Sequence, residues 1–216
     1  MKLLENMPSD HANLKNRALH LQKIGVPPAH LVSAEIIHGN NIQIVAGKDG
    51  GKVIVSADGL ITQIKEIYLS ITSADCLPIF LFEPKNEIIG LIHAGWRSLE
   101  KGILANAVEE IKKLGGAPEN ILAGVGPAIC QPHYEVGPEV AKKFENYPEA
   151  IEKDNEKLFL DIKKIAELQL SGLGFKKENI EISPECTFEL PEKYFSARRD
   201  RKKEVEAMVA VIGLKK

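Results

Sequence analysis

The chain has 216 residues, of which 44% are hydrophobic and 27% charged, with a formal net charge of −2 at pH 7. This balance is typical of a globular protein with one domain-sized core. It gives no general attraction to nucleic acid or to anionic membranes. The beginning of the chain lacks the apolar core of a signal peptide, and no segment is apolar enough to span a bilayer, so we expect a cytoplasmic protein.

Three units of similar design punctuate the chain, each a helical pattern followed by a Gly-containing turn and a strand pattern. The predicted helices cover 11–24, 99–114 and 161–173. Their apolar residues recur at helical spacing, and glycine follows each of them. The strand sequences that follow are LVSAEIIHG, ILAGVG and IEIS.

Short runs rich in Ile and Val lie between the first two units and predict further strands. They read NIQIV, KVIVS, EIYLSIT, PIFLF and EIIGLIH, and VEAMVAVIG predicts a last strand near the C-terminus. Strands and helices alternate too incompletely for a doubly wound sheet, so we predict an α+β fold with mixed β-sheets covered by helices. No low-complexity linker divides residues 1–216, which favours a single domain, and 146–157 is predicted to be a surface loop.

Three cysteines, at positions 76, 130 and 186, are too few and too widely spaced for a disulfide framework. Cys76 instead belongs with two histidines, because His38, Cys76 and His93 each lie at or beside a predicted strand end. Zinc is held by such ligands, and a catalytic zinc site keeps one position open. The spacing alone equally allows a buried cysteine and two hydrogen-bonded histidines.

A different chemistry is open to the same residues. In this alternative His93 lowers the pKa of the Cys76 thiol, and the thiolate attacks an amide or ester carbonyl. One cysteine cannot easily be both a firm zinc ligand and a free nucleophile, so the two hypotheses exclude each other.

Arginine is rare, with five residues against 23 lysines, and four arginines lie in two short stretches. Arg97 follows Trp96 at a predicted helix start, where anions are favoured. Arg198 and Arg199 precede the last strand; a solvated charge run is the default interpretation of them, and binding of an anion is the alternative. The Gly- and Pro-rich run 124–137 contains Cys130 and His133, for which loop packing and a place in the site are both open.

Several short motifs resemble those of one protein family. They are HG at 38, DGLIT at 58, ADCLP at 74, HAGWR at 93, GPAI and YEVG within 126–137, and SARRD at 196. In this order they are similar to the laccase-like, YfiH-type proteins, once named polyphenol oxidases and now described as purine nucleoside phosphorylases. The resemblance runs from about Asn16 to the C-terminus.

The resemblance implies a layered α/β/β/α fold and a metal site formed by His38, Cys76 and His93. Zinc is the usual occupant in the family, and copper is also described. The implied reaction is cleavage of adenosine, inosine or methylthioadenosine by phosphate, with adenosine deamination as an additional activity. In this interpretation Cys76, Asp75 and His93 are catalytic.

Substrate binding completes the expected site. Arg97, Arg198 and Arg199 would bind the phosphate, and the partners are small molecules rather than nucleic acid or membrane. The rival hypotheses are the Cys76/His93 hydrolase, acting for example on a cell-wall precursor, a copper-dependent phenol oxidase, and a metal-binding protein without activity.

The sequence departs from the family pattern at several positions. The family's N-terminal strand segment, with its Thr-Arg-x-Gly-Gly-Val-Ser pattern, does not occur before Asn16, Ser98 replaces the Gly that usually follows HAGWR, and Ala197 replaces a Tyr. KKEVEAM stands where the family has a Gly-Arg region. The implied metal ligands are untouched, so these departures bear on substrate choice and turnover.

Overall fold

A computed structural model describes residues 21, 23, 25–203 and 206–215. The predicted helix over 11–24 lies largely outside these residues. The strands are β1 (Leu31–Ala34), β2 (Ile42–Ile44), β3 (Val53–Ile54), β4 (Gly59–Thr62), β5 (Tyr68–Ser73), β6 (Leu77–Glu83), β7 (Ile88–Ala94), β8 (Leu122–Val125), β9 (Glu135–Val136), β10 (Ile151–Asp154), β11 (Lys157–Leu160), β12 (Ile180–Ile182) and β13 (Met208–Gly213).

Short and medium helices connect these strands. The α-helices are α1 (Trp96–Glu100), α2 (Ile103–Lys113), α3 (Pro138–Ala141), α4 (Ile162–Gly172) and α5 (Ala197–Asp200). Single turns of 3₁₀ helix cover Pro28–His30, Gly47–Asp49, Pro118–Asn120, Gln131–His133, Lys142–Phe144, Pro148–Ala150 and Lys177–Asn179. Within the described parts of the chain, no helix has the length and hydropathy needed to cross a membrane.

The strands form two mixed sheets and one small antiparallel sheet, as the α+β prediction requires. The large sheet has the order β12-β8-β6-β7-β4-β2, the second sheet the order β13-β5-β1-β3, and the small sheet the order β10-β11-β9. Strands β6 and β7 form a central antiparallel pair of seven residues each, with Leu77 opposite Ala94 and Glu83 opposite Ile88.

The core lies in layers on both faces of the large sheet. Alternate residues of β7 point to opposite faces. Ile88 and Ile92 pack in the core formed with α2 and α4, whereas Ile89 and Leu91 pack against residues of the second sheet. Because both faces of β7 are covered, its sequence is apolar almost without interruption. On the far face of the second sheet, Leu21 packs with Tyr68 and other apolar residues.

Two predicted elements differ from the structure. The helix expected over 99–114 is split into α1 and α2, because Gly102 lies between them with a left-handed φ of 75° that continues neither helix. The surface loop expected over 146–157 is wrong in part, since β10 begins at Ile151 and pairs antiparallel with β11. The charged, exposed residues of this hairpin hide its strand character, because burial on one face is what makes a strand visible in a sequence.

Candidate metal centre

His38, Cys76 and His93 converge at one end of the large sheet. His38 lies in the loop between β1 and β2, Cys76 immediately precedes β6, and His93 is the penultimate residue of β7. Each offers one ligand atom, and these atoms all lie within 4.8 Å of one another. The two imidazole rings meet edge to face, with centroids 5.0 Å apart. His93 is buried and His38 is exposed, so the group opens to solvent on the His38 side.

The strand register positions the thiol. Because Leu77 is paired with Ala94, the preceding Cys76 lies beside Gly95, the residue that precedes α1. A Cβ atom added at Gly95 would lie 2.8 Å from Sγ of Cys76 and 3.7 Å from Cδ2 of His38. A side chain at position 95 would therefore occupy space beside the ligand atoms. The glycine of HAGWR keeps that space open, and Ser98, which replaces the usual glycine, is buried inside α1.

A buried aspartate supports both histidines. The carboxylate of Asp58, at the start of the DGLIT motif, accepts hydrogen bonds from the backbone N–H groups of Ile37 and Gly39, at 3.2 and 2.8 Å. These two residues flank His38, which has a left-handed φ of 56°. Oδ1 of Asp58 also lies 4.0 Å from Nδ1 of His93. Metal-bound histidines commonly face such a carboxylate, which orients the ring. This role of Asp58 was not predicted from the sequence.

The local environment keeps both inner ligands uncharged in the absence of a cation. Burial, with the neighbouring Asp75 carboxylate, raises the pKa of the Cys76 thiol from 9.0 to about 12, although Arg97 lowers it. Burial, with the nearby His38, lowers the pKa of His93 from 6.5 to about 3. The hydrolase hypothesis needs a thiolate–imidazolium pair. Both pKa shifts disfavour it, because the raised pKa keeps the thiol protonated and the lowered pKa keeps the imidazole neutral. A neutral imidazole, in contrast, is the form that binds metal.

The donor set fits a zinc ion. Nδ1 of His93 is buried, lies 4.0 Å from the Asp58 carboxylate and has no hydrogen-bond partner in the described structure, which is unusual for a buried polar atom. Two imidazoles and one thiol are borderline-soft donors of the kind that zinc prefers, and three protein ligands leave a fourth position open. The exposed side of His38 is where a substrate or water could reach that position.

Asp75 organises the turn that precedes α5. Its Oδ1 accepts a 2.6 Å hydrogen bond from Thr187, while its Oδ2 accepts bonds from the Ser196 hydroxyl at 3.0 Å and from the backbone N–H of Arg198 at 2.7 Å. Asp75 is buried and has a left-handed φ of 83°. The structure therefore places this carboxylate as an anchor between distant loops. Thr187 and Ser196 were not identified from the sequence.

Two of the three predicted arginines lie close to the ligand group. Arg97 is exposed, and its guanidinium carbon lies 4.3 Å from the Trp96 ring centroid, while that of Arg198 lies 5.0 Å from the Tyr134 ring centroid. Nη1 of Arg198 donates to the backbone oxygen of Glu135 at 2.8 Å. Burial, together with the nearby Cys76, raises the pKa of the Tyr134 hydroxyl. Tyr134, in the YEVG motif, thus lies near both Arg198 and Cys76.

Arg199 has a different environment from its neighbour. Its Nε and Nη2 donate to the Asp200 carboxylate at 2.7 and 3.1 Å. Its remaining donors reach backbone oxygens of Thr187, Phe188 and Tyr194 at 2.7 to 3.1 Å. These contacts occupy all five N–H donors of a guanidinium. Arg199 therefore holds the 187–200 loop together, and its donors are not directed at a ligand.

Comparison with known proteins defines the class. A family described as "Multi-copper polyphenol oxidoreductase laccase" matches residues 7–215, and the chain belongs to that family. The crystal structure of Bacillus licheniformis hypothetical protein YfiH is similar with a TM-score of 0.89 and 29% sequence identity, covering 96% of this chain and 82% of that one. The predicted YfiH-like, mixed α+β fold is thereby confirmed.

Relatives with assigned names point to one activity. A protein named purine nucleoside phosphorylase YlmD, from Bacillus subtilis (strain 168), is 30% identical over 215 residues, which is 94% of this chain and 77% of that protein. Purine nucleoside phosphorylase ORF3 from Streptomyces griseus is 33% identical over 193 residues, covering 88% of this chain and 76% of the relative. Both relatives are thus named for an activity on purine nucleosides.

Proposed function

We propose that this protein is a zinc-dependent purine nucleoside phosphorylase, which converts adenosine, inosine or methylthioadenosine and phosphate into the free base and a sugar 1-phosphate. The observation that carries the proposal is the convergence of His38, Cys76 and His93 within 4.8 Å of one another, beside exposed arginine. The names of the relatives supply the substrate class.

The reaction defines what the site has to bind. A phosphate oxygen forms a bond to the anomeric carbon of the sugar, the bond from that carbon to the purine nitrogen breaks, and the base leaves with the electron pair and takes up a proton. The sugar carries positive charge in the transition state, while phosphate brings negative charge. Both charges need fixed partners to be stabilised.

The metal would be held by His38, Cys76 and His93, with Asp58 orienting the two histidines. A zinc ion held there would supply positive charge and Lewis acidity. Cys76 enters such a site as a thiolate, and His93 as a neutral imidazole, the state that burial already favours. Their catalytic contribution in this proposal is therefore that of ligands.

Arg97 and Arg198 are the proposed phosphate-binding residues. The guanidinium group of Arg97 is exposed at the start of α1, and one of the five N–H donors of Arg198 is used by the described protein, at Glu135. A guanidinium can bind phosphate through two parallel hydrogen bonds. Asp75 positions Arg198 through its backbone N–H and acts on the anion only through that residue. Arg199 is left out of the proposed substrate site.

Deamination of adenosine is proposed as a second reaction of the same centre. In it water replaces the amino group of the purine, giving inosine and ammonia. The solvent-exposed edge at His38 supports it, because water reaches the ligand group from that side. Inosine formation without phosphate separates this reaction from phosphorolysis.

The test is base release from the three nucleosides, with and without phosphate. We expect release to depend on phosphate, and Arg97→Ala and Arg198→Ala to raise KM for phosphate by about 10-fold or more, since a charged hydrogen bond contributes about 1.5–3 kcal/mol. Lys142→Ala, which removes the charge of an exposed lysine, serves as the control. Phosphate-independent rates, or arginine variants identical to the control, would contradict the assignment.

A further inference from the structure

A second group of metal-binding side chains lies outside the site described above. Cys130, His133, Cys186 and Glu189 offer four ligand atoms that all lie within 4.8 Å of one another. Nδ1 of His133 is 3.2 Å from Sγ of Cys130 and 3.9 Å from Sγ of Cys186. Oε1 of Glu189 is 3.4 Å from the same nitrogen and 3.6 Å from Sγ of Cys130. The four groups surround one point in space.

Two short loops deliver these residues in pairs. Cys130 and His133 are separated by two residues, as are Cys186 and Glu189, and the second pair begins 53 positions after His133. Ligand pairs separated by two residues, brought together from two distant loops, are typical of structural zinc sites. The loops are joined by backbone contacts, since Ala128 forms a parallel bridge with Cys186 and accepts a 3.1 Å hydrogen bond from Thr187.

The surroundings fix the geometry of the ligands. The His133 ring stacks on Phe188 with a centroid distance of 4.3 Å and an interplanar angle of 15°. The backbone N–H of Cys130 points at Sγ of Cys186, with N and Sγ 3.2 Å apart. An N–H directed at sulfur stabilises a thiolate more than a thiol. Cys186 is buried, Cys130 and His133 are partly buried, and Glu189 is exposed, so Glu189 would lie on the solvent side of the site.

A cation would balance most of the charge of the deprotonated ligands. Two thiolates and one carboxylate bring three negative charges, and a divalent ion leaves one. Lys163 lies beside this group, held by hydrogen bonds from Nζ to the backbone oxygens of Ser183 and Glu185 at 2.9 and 2.7 Å. Its positive charge offsets the remaining one. Without a cation, burial and the adjacent Cys186 raise the pKa of the Cys130 thiol to about 12.

We propose that Cys130, His133, Cys186 and Glu189 form a second metal site, which binds one zinc ion with four protein ligands. Because the protein fills all four positions, this site is structural and differs in kind from the open centre at His38, Cys76 and His93. It joins the 126–137 loop, which contains Cys130 and His133, to the segment that carries Cys186 and Thr187. Both loops contact Asp75, through the backbone N–H of Ile129 and the hydroxyl of Thr187.

The competing use of the two cysteines is a disulfide bond. The sulfur atoms of Cys130 and Cys186 lie within 4.8 Å of each other, so either a shared metal ion or a disulfide bond is open to them. The two cysteines are free thiols in the structure. His133 and Glu189 decide between them, because a disulfide gives neither side chain a reason to turn toward the sulfurs. Their approach to the thiols favours a metal ion.

Cobalt provides the test, because tetrahedral Co²⁺ bound to thiolates has a characteristic absorption spectrum. In a Cys76→Ser, His93→Gln background, which disables the first centre, the protein is expected to bind one Co²⁺ per chain with a thiolate charge-transfer band, and zinc should displace it. Adding Cys186→Ser should abolish both the band and the bound metal. The metal should also be removed with a chelator under argon, without any reductant. Mass spectrometry of that protein should then show that Cys130 and Cys186 are free thiols.

Two milder variants guard against misfolding of the cysteine variant. Glu189→Gln and His133→Gln change partly or fully exposed side chains, and Glu178→Gln is the matched control on another loop. Because even an outer hydrogen-bonding partner of a metal ligand contributes about 10- to 100-fold to affinity, we expect the first two to weaken cobalt binding by at least about tenfold. A background protein that binds no cobalt, or a Cys130–Cys186 disulfide in the purified protein, would overturn the proposal, and neither result affects the first centre.

Discussion

The backbone N–H of Gly39 donates a 2.8 Å hydrogen bond to Oδ2 of Asp58, across 19 positions of the sequence. The same carboxylate holds Ile37 and faces Nδ1 of His93. One buried side chain thus holds the backbone on both sides of His38 and lies next to the His93 ring, although it contributes no ligand atom itself.

Asp58→Asn is therefore expected to weaken metal binding while preserving the fold. The amide has the size of the carboxylate but lacks its charge and one of its acceptor oxygens, so the backbone N–H of Ile37 or Gly39 loses its acceptor and His93 loses the nearby negative charge. We expect zinc affinity to fall by about 10- to 100-fold, measured by competition with a chelator. The control is Asp154→Asn in the exposed β10–β11 hairpin, and an affinity equal to that of the control would contradict this role.

Gly95→Ala tests the space beside the thiol. The added Cβ would lie 2.8 Å from Sγ of Cys76, closer than side chains tolerate, so the sulfur must move. We expect most of the bound metal to be lost from a protein with an unchanged circular dichroism spectrum. Gly172→Ala is the matched control, because a Cβ there meets nothing within 4 Å. Equal metal content in the two variants would show that Gly95 is not required for the site.

Asp75→Asn addresses stability. An amide nitrogen at one of the two oxygen positions would face a donor, either the Thr187 hydroxyl or the backbone N–H of Arg198. A buried donor left without its acceptor costs about 1–3 kcal/mol, and we expect the free energy of unfolding to fall by that amount. Asparagine tolerates the left-handed φ of this position, so backbone strain does not confuse the result. Urea unfolding measures the change, and a variant as stable as the wild type would argue against the anchoring role.

The buried His93 makes the metal-free protein sensitive to acid. Its pKa is about 3 in the folded state against 6.5 for an ordinary histidine, so between these values the unfolded chain binds the extra proton. The free energy of unfolding therefore decreases as the pH falls from 6.5 toward 3. We expect this decrease to be smaller in metal-free His93→Gln, measured by urea unfolding at pH 7.5 and 4.5. Equal losses in both proteins would contradict a neutral, buried His93.

The sequence predicts the strongly patterned parts of this fold. Strands β5, β6 and β7 are recognisable because both faces are buried and their apolar runs are long, and α4 follows a clear helical period. The α1–α2 break at Gly102 and the exposed β10–β11 hairpin are not recognisable, since each depends on how neighbouring elements pack. Local pattern carries no information about such packing.

The ligand trio could be suggested from the sequence because each member sits at a strand end and the motifs resemble those of a known family. The residues that support this trio through hydrogen bonds could not be predicted from the sequence. Asp58 and Thr187 act through hydrogen bonds across 19 and 112 positions, which no spacing rule contains. The different environments of Arg198 and Arg199, adjacent in the chain, likewise appear only once the loops are folded.

Metal-dependent phosphorolysis is the central claim, and its most direct test follows sugar 1-phosphate formation from inosine and phosphate while the metal content is varied. The metal-free protein should be inactive, one equivalent of zinc at the His38 centre should restore turnover, and Cys76→Ala should lose that metal and turnover together. Undiminished product formation by a Cys76→Ala protein that holds no metal at this centre would contradict the account.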